Sequence, residues 1–380
     1  MSEVEIPSVE YRQGIYYLVL DAGTPHDRGY QHGAGLRFPI RNALREFRAW
    51  LRDVVGLADP EEMIHDFAAS TPYLASVRDG APDLIEEMEG IAKGAGVDPN
   101  QLFAYQSFDE LFLFLWTSGA LEAGTTGHGT TAGVYGRADR PNYVGHNNDV
   151  PTYHRELVTV LHIKYPASDS EEDGAREILQ ATFAGQIGQN GVNNRGLAVG
   201  TNALANLPAG DGLPVSFHVR KILESDSADD AIVYLKQSHF AQAMNYIIGD
   251  PGRVVSVETW RANALVLDIF PGTYAVHTNH SLGETTPKTF PVTTEMGGGS
   301  YGFSVERQEL ARDLLSRDTA GVTLEAFQQI FKTRPILVHP GRPTGRTLVN
   351  LVAVIPKQGS PILYLTPDSP SLYSHARFTF

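Results

Sequence analysis

The chain changes its hydrophobic period once, and that change restricts the fold more than any other feature. Up to about residue 120 apolar residues recur at helical steps; from Thr131 onward they come in short strand-like runs. Ile40, Leu44, Phe47, Leu51 and Val54 step by four and three, the mark of an amphipathic helix. Leu84, Ile85, Met88, Ile91 and Ala92 form a second face, with Gly94 and Gly96 expected to end it, and the apolar stretch from Leu102 to Trp116 continues the pattern. One strand, GIYYLVL (14 to 20), precedes these helices. After the change the runs are LVTVLHI (157 to 163), ILQATFA (178 to 184), LAVGT (197 to 201), RVVSVET (253 to 259) and ALVLDIF (264 to 270). Two helices are expected to interrupt them. One covers Ala228 to Gln237 behind a Ser227 cap; the other runs from Val305 to Leu315 and on to Leu324, Phe327 and Phe331. TLVNLVAVIP (347 to 356) and PILYLT (361 to 366) read as a closing hairpin. Grouped helices and grouped strands cannot wind as repeated βαβ units, so the expected class is α+β, a layered sandwich.

Charge and composition remove several function classes. Lys and Arg number 30 against 44 Asp and Glu, a net charge of −14 that repels phosphate backbones and anionic lipid. Nucleic acid is therefore not an expected partner. There is no cysteine, which excludes disulfides, thiolate metal sites and a Cys nucleophile together. The run LFLFLWTSGAL (111 to 121) is far shorter than the roughly 20 residues of a membrane helix and reads as buried core, so no membrane partner is expected. The opening MSEVEIPSVEYRQ carries acids and no apolar stretch, so no secretory signal is expected and cytoplasmic is the default location.

Candidate chemistry is sparse. His128, His146, His154 and His162 invite a metal site, but no pair has a close ligand spacing; the expectation is scattered polar histidines, no metal and no cofactor. GQIGQNG (185 to 191) has no Lys-Ser/Thr after it and reads as a tight hairpin leading into VNNRGLAVG. SVERQ (304 to 308) reads as a helix start, and no G-x-S-x-G elbow occurs. One stretch remains, GHGTTAGVYG (127 to 136), behind a glycine-rich loop (119 to 130) at the seam between the two kinds of sequence. A Thr hydroxyl is a weak nucleophile unless a base adjoins it, and cleavage before the residue supplies one, its own α-amine. That amine has a reference pKa of about 7.7 to 8, near working pH. Cutting Gly129–Thr130 would thus create the catalytic group. The bland reading is a glycine loop entering a strand.

Seven segments, in order, bear on the choice: RGYQHG (28 to 33), APDLIEEMEGIAKGAGVD (81 to 98), GTTAG (129 to 133), GHNND (145 to 149), GQNGVNNRGLAV (188 to 199), MNYIIGDPG (244 to 252) and HTNH (277 to 280). Together they resemble the acyl-coenzyme A:6-aminopenicillanic acid acyltransferase (isopenicillin N acyltransferase) family of N-terminal nucleophile hydrolases. The resemblance implies a four-layer αββα sandwich. It implies a precursor that cuts itself, with residues 1–129 as a helical α chain and 130–380 as the sheet-bearing catalytic β chain. The two would remain associated as one structural unit, with a homo-oligomer left open.

Family members cut before a Cys in a Gly-Cys-Thr context, so the resemblance puts the nucleophile on Thr130 and the cut after Gly129. Aligned instead on Thr-Thr-Ala, Gly129 stands at the nucleophile and the chain is a non-catalytic binding homologue. The resemblance also implies that Asn279 is the oxyanion-hole amide and that Asp149 orients the amine or contacts substrate. Asn147, Asn148, Asn245, Ser304 and Arg307 would contact substrate, the last as a carboxylate partner or near the cut. The expected activity is an amidohydrolase opening a small-molecule or peptide-like amide through an acyl-enzyme on Thr130, with acyl transfer to an amine as the alternative.

Overall fold

A computed structural model describes residues 4–120, 128–166, 174–204, 206–289, 302–317, 321–338 and 345–380. Two strands, β1 (Glu10–Arg12) and β2 (Ile15–Leu20), open the chain. Seven helices follow: α1 (Pro25–Gly35), α2 (Arg37–Asp53), α3 (Pro60–Ser70), α4 (Tyr73–Gly80), α5 (Pro82–Ala95), α6 (Pro99–Gln106) and α7 (Phe108–Thr117). Next come β3 (His128–Tyr135), β4 (Asn142–Val150), β5 (Val158–Lys164), β6 (Glu177–Phe183), β7 (Asn190–Asn193) and β8 (Ala198–Ala203), then α8 (Val215–Leu223) and α9 (Ala228–Gln237). The last third holds β9 (Met244–Gly249), β10 (Val254–Trp260), β11 (Asn263–Asp268), β12 (Thr273–His277), α10 (Gly302–Ser316), α11 (Leu324–Ile330), β13 (Arg346–Ile355), β14 (Ile362–Leu365) and β15 (Ala376–Phe378).

Local chemistry sets many of the boundaries. Thr24, Asp59, Asp98, Ser227 and Thr323 each accept a first-turn N–H with a side-chain oxygen, at the starts of α1, α3, α6, α9 and α11. Gly96 closes α5 in the left-handed region at φ 66°. Gly94, expected to end that helix, lies inside it. The apolar stretch from Leu102 to Trp116 divides at Ser107 into α6 and α7, and the segment from Val305 to Phe331 is two helices, α10 and α11. Helix α8 carries no counterpart in the periodicity reading. The glycine loop also ends earlier than expected: β3 begins at His128, not Thr131, because its ladder with β4 starts with His128 opposite Asp149. Residues 121–127 of that loop, and Leu121 of the apolar run, lie outside the described residues.

The strands form two sheets. One has the order β1-β2-β5-β6-β7-β8-β9-β10-β11, the other β12-β3-β4-β13-β14-β15. Every pairing is antiparallel except β2 with β5. The expected β13–β14 hairpin forms and is extended by β15. The sheets pack face to face through β3 and β4 against β8 and β9. Small residues permit the approach: a Cβ on Gly133 would meet Ile247 and Val254, and one on Gly200 would meet Thr131 Cγ2 at 2.7 Å. Helices α1, α8 and α9 cover the outer face of the larger sheet, α10 and α11 that of the smaller, giving four αββα layers. Among the described residues no helix is long and apolar enough to cross a membrane.

The helical layer depends on one close crossing. Helix α1 presents Gly29 and Gly33 to α5, and α5 returns Gly90 and Gly94. A Cβ on Gly29 would sit 1.9 Å from Glu87 O, one on Gly33 2.2 Å from Ile91 O, and one on Gly90 2.0 Å from His26 O. The obstacles are backbone, which cannot swing aside as a side chain can. Gly90→Ala is therefore expected to cost about 3 kcal/mol or more, at or above the usual range for overpacking, whereas Gly23→Ala, with nothing near its Cβ, should be close to neutral. Urea unfolding of both variants beside the parent checks this.

Candidate active site

Strand β3 enters the smaller sheet between β12 and β4, with Thr130 opposite Asn147 and Thr131 opposite both His146 and His277. Strand β12 stops at His277, so beyond that point β3 has no ladder partner on that side, and side chains take over its backbone groups. Gly129 N–H donates to Asn279 Oδ1 at 3.1 Å. Arg307 Nη1 donates to the Gly129 carbonyl at 2.6 Å and to Thr130 Oγ1 at 3.0 Å, while its Nη2 donates to Asn279 Oδ1 at 2.7 Å. Arg307, on α10, is 1% exposed.

Alternation along β3 then decides which side chain faces what. Gly129, Thr131 and Gly133 point at the larger sheet: a Cβ on Gly129 would approach Asn202 Nδ2 to 2.8 Å, and Thr131 lies over Gly200. Thr130, Ala132 and Val134 point the other way, Ala132 and Val134 packing with Ala311, Leu315 and Phe327 beneath α10 and α11. Gly129, not Thr130, therefore lines the cavity between the sheets. That cavity measures about 30 Å³ and is bounded chiefly by Phe108, Asp109, Gly129, Asp149, Asn202 and Asn279. It has room for about two waters.

The candidate residues separate into groups on this geometry. Asn279 and Asp149 border the cavity, as does Asn148, which donates to Gln189 at 3.4 Å. Arg307 holds the Gly129–Thr130 seam. Ser304 supports Asn279: its hydroxyl accepts the Asn279 N–H at 2.8 Å and bonds Thr278 Oγ1 and His280 Nδ1. Asn147 and Asn245 are not brought to the cavity. Asn147 donates to the carbonyls of Phe331 and Ile336 and accepts from Asn350, and Asn245 accepts from Ser256 at 2.6 Å within the larger sheet.

Three of the four histidines considered as ligands are structural. His146 bonds Thr131 Oγ1 at 2.8 Å, His154 sits among Tyr105, Tyr153 and Phe183, and His162 lies between Tyr17 and Glu177. The side chain of His128 lies outside the described residues. No group of three or more His, Asp or Glu suited to a metal occurs among the described residues.

Two features escaped the sequence reading. The loop carrying Asn279 is fastened by Glu258, which accepts from His277 Nε2 at 2.9 Å, Ser281 Oγ at 2.7 Å and the N–H groups of Leu282 and Gly283. Burial works to raise the Glu258 pKa, but these bonds and the His277 charge outweigh it and bring it down to about 2. The second is the far wall of the cavity, Asp109 from α7 and Asn202 from β8. A polar residue two positions along the strand from Gly200 was the available signal for Asn202.

A sequence model of the family "Acyl-coenzyme A:6-aminopenicillanic acid acyl-transferase" matches residues 137–334, more than half of the chain. The chain belongs to this acyltransferase family. The matched stretch contains Asp149, Asn279, Ser304 and Arg307 and begins after Thr130. The 40 kDa form of acyl-coenzyme A:6-aminopenicillanic-acid-acyltransferase from Emericella nidulans is 27% identical over 265 residues, 68% of each protein. Similar solved structures include a variant of conjugated bile acid hydrolase from Clostridium perfringens (TM-score 0.44, 13% identity, 66% of this chain and 97% of that one). Penicillin V acylase from Agrobacterium tumefaciens is another (TM-score 0.40, 13% identity, 62% and 82%).

Asp149 gives this family member a pH signature. Its Oδ1 accepts from Thr347 and its Oδ2, buried, has no partner among the described residues. Burial pushes the carboxyl up to about 7, against the opposing pull of Arg307 and Thr347. The folded pKa is raised, so the folded state holds a proton that the unfolded chain has already lost; stability present near pH 4 declines as pH rises through 7. A shift of this size sets a ceiling of about 4 kcal/mol on the loss. Asp149→Asn should therefore flatten the fall in Tm between pH 5 and pH 8, which differential scanning calorimetry can measure.

Proposed function

We propose that this family member is a self-processing amidohydrolase that cuts its own Gly129–Thr130 bond and then opens a small-molecule or peptide-like amide through an acyl-enzyme on Thr130. One observation carries the reading: a buried guanidinium bonds the Gly129 carbonyl and the Thr130 hydroxyl at once. A cation on both oxygens favours attack of the hydroxyl on that carbonyl, because it stabilises the negative charge that develops. Attack forms the C–O bond, the C–N bond breaks, and the hydroxyl proton passes to the departing nitrogen. Water then opens the ester and leaves a carboxylate on Gly129 and a free amine on Thr130.

Removal of Gly129 vacates the place its carbonyl holds beside Arg307, with Asn279 next to it. The acyl carbonyl of a substrate takes that place, and the Thr130 amine accepts the proton of its own hydroxyl. The amine portion of the substrate leaves, and water releases the acyl group. Water as acceptor needs no second binding site, which favours hydrolysis over acyl transfer.

A specific observation favours a second reading. Of the two residues at the seam, position 129 and not 130 is the one from which a side chain would enter the cavity, and glycine there supplies none. In that reading the cavity binds its ligand without chemistry and the chain stays whole.

Intact mass and Edman sequencing separate the two. Processing yields a fragment beginning Thr-Thr-Ala-Gly, and Thr130→Ala abolishes both it and amide turnover. Arg307→Gln should slow processing by about 100-fold or more, the usual cost of losing an oxyanion donor. A parent chain that stays whole through prolonged incubation would reject the self-processing reading.

A further inference from the structure

Setting the α1–α5 glycine crossing and the Glu258 anchor aside as structural, the cavity beside Gly129 holds polar atoms that neither the fold nor the chemistry above employs. Asn202, 2% exposed, lines the cavity, and neither its Oδ1 nor its Nδ2 is bonded among the described residues. Buried amides without partners are rare in folded proteins and call for an occupant. Asp149, on the wall contributed by β4, likewise has a buried Oδ2 that is unbonded among the described residues. Asp109 supplies a second carboxyl from α7, across the layer boundary. Among the described residues no Lys or Arg lines the cavity, Arg307 standing behind Gly129 and Asn279 with its donors on their oxygens, and the lining histidine, His146, is held neutral by burial, its pKa brought down to about 3. Two carboxyls therefore face a space without a lining cation, and burial raises both.

We infer that this cavity is a subsite for a small protonated amine, held by charge-assisted hydrogen bonds to Asp109 and Asp149 and by the Asn202 carbonyl, with Phe108 as an apolar wall. The size agrees, since about 30 Å³, with Gly129 in place, accepts an ammonium group and one carbon. The subsite narrows the substrate class: an amide that carries a free ammonium close to the bond being cut, as amides of amino acids do. Asp109 becomes the specificity-determining residue, because it is the carboxyl that comes from outside the catalytic sheet. This assignment of substrate rests on the cavity being the substrate site, as proposed above; binding of the amine itself does not require turnover.

The test uses methylammonium chloride as probe on full-length Thr130→Ala protein, at ionic strength fixed with sodium chloride, with Tm followed by scanning fluorimetry. Methylammonium should raise Tm saturably, with half-saturation on the order of 1–10 mM, while sodium acetate and acetamide should not. Asp109→Asn should move the half-saturation point at least tenfold, and the exposed control Asp53→Asn should leave it unchanged. If Asp109→Asn does not fold, Asn202→Leu, of similar volume, should remove the response. No saturable response, an equal response to acetate or acetamide, or an unaltered midpoint in the cavity variant would overturn the inference. Because the Thr130→Ala chain has no hydroxyl to cut with, such a failure is separate from any failure of the self-processing reading.

Discussion

A single buried guanidinium joins the parts of this molecule that matter. Arg307 reaches from α10 to the Gly129 carbonyl, the Thr130 hydroxyl and the Asn279 amide oxygen, and it also bonds the Phe303 carbonyl on its own helix. A charge taken from water is tolerated only when its donors are occupied, and five N–H groups in a rigid fork demand acceptors at fixed places. Those places come from three separate segments: the start of β3, the loop after β12, and α10. Ending β12 at His277 is what frees Gly129 to meet the fork, since a longer strand would have claimed its N–H and C=O for the ladder.

Asn279 could not serve this arrangement unless its own loop were held. Two anchors hold it. Ser304, three residues before Arg307 on α10 and so on the same helix face, takes the Asn279 backbone N–H. Glu258, on β10, takes His277 on one flank and the N–H groups of Leu282 and Gly283 on the other. The Glu258–His277 pair is fully buried, and such pairs contribute little net stability because desolvation offsets attraction. Its effect is positional, since a carboxylate with four donors admits one loop conformation where a hydrophobic substitute would admit many.

Much of the architecture was legible because it rests on periodicity and caps. The Ile40, Leu44, Phe47 and Leu51 stripe, the Ser227 cap and the runs that became β10, β11, β13 and β14 each encode their structure locally. Two of the misplaced boundaries share an origin: glycine reads as punctuation. Gly94 reads as a terminator but is a contact point inside α5; Gly129 reads as part of a loop but is the second residue of a strand. In both cases the glycine is required by what lies across from it, which no local pattern reveals. The far wall of the cavity was invisible for the same reason. Asp109 and Asn202 stand 93 positions apart in the chain and meet only through tertiary packing.

Strand register carries the sharpest consequence. Side chains alternate, so moving a functional position by one residue sends its side chain to the opposite face. The motif Gly-Thr-Thr could be recognised in the sequence, yet the facing of its members depends on where β3 begins to pair with β4. Because pairing starts at His128, glycine faces the cavity and Thr130 faces α10. In the uncut chain the cavity is far smaller than the several hundred cubic ångströms of an ordinary ligand pocket, and Gly129 is pinned by Asn279 and Arg307 together. A cavity of this size holds no sizeable amide as it stands. Opening requires Gly129 to give up both bonds, and severing the bond to Thr130 removes the covalent restraint that keeps it there. If the chain cuts itself as proposed above, loss of Gly129 from this place would clear the acyl site, and cutting would then precede turnover for reasons of space as well as of the chemistry of the amine.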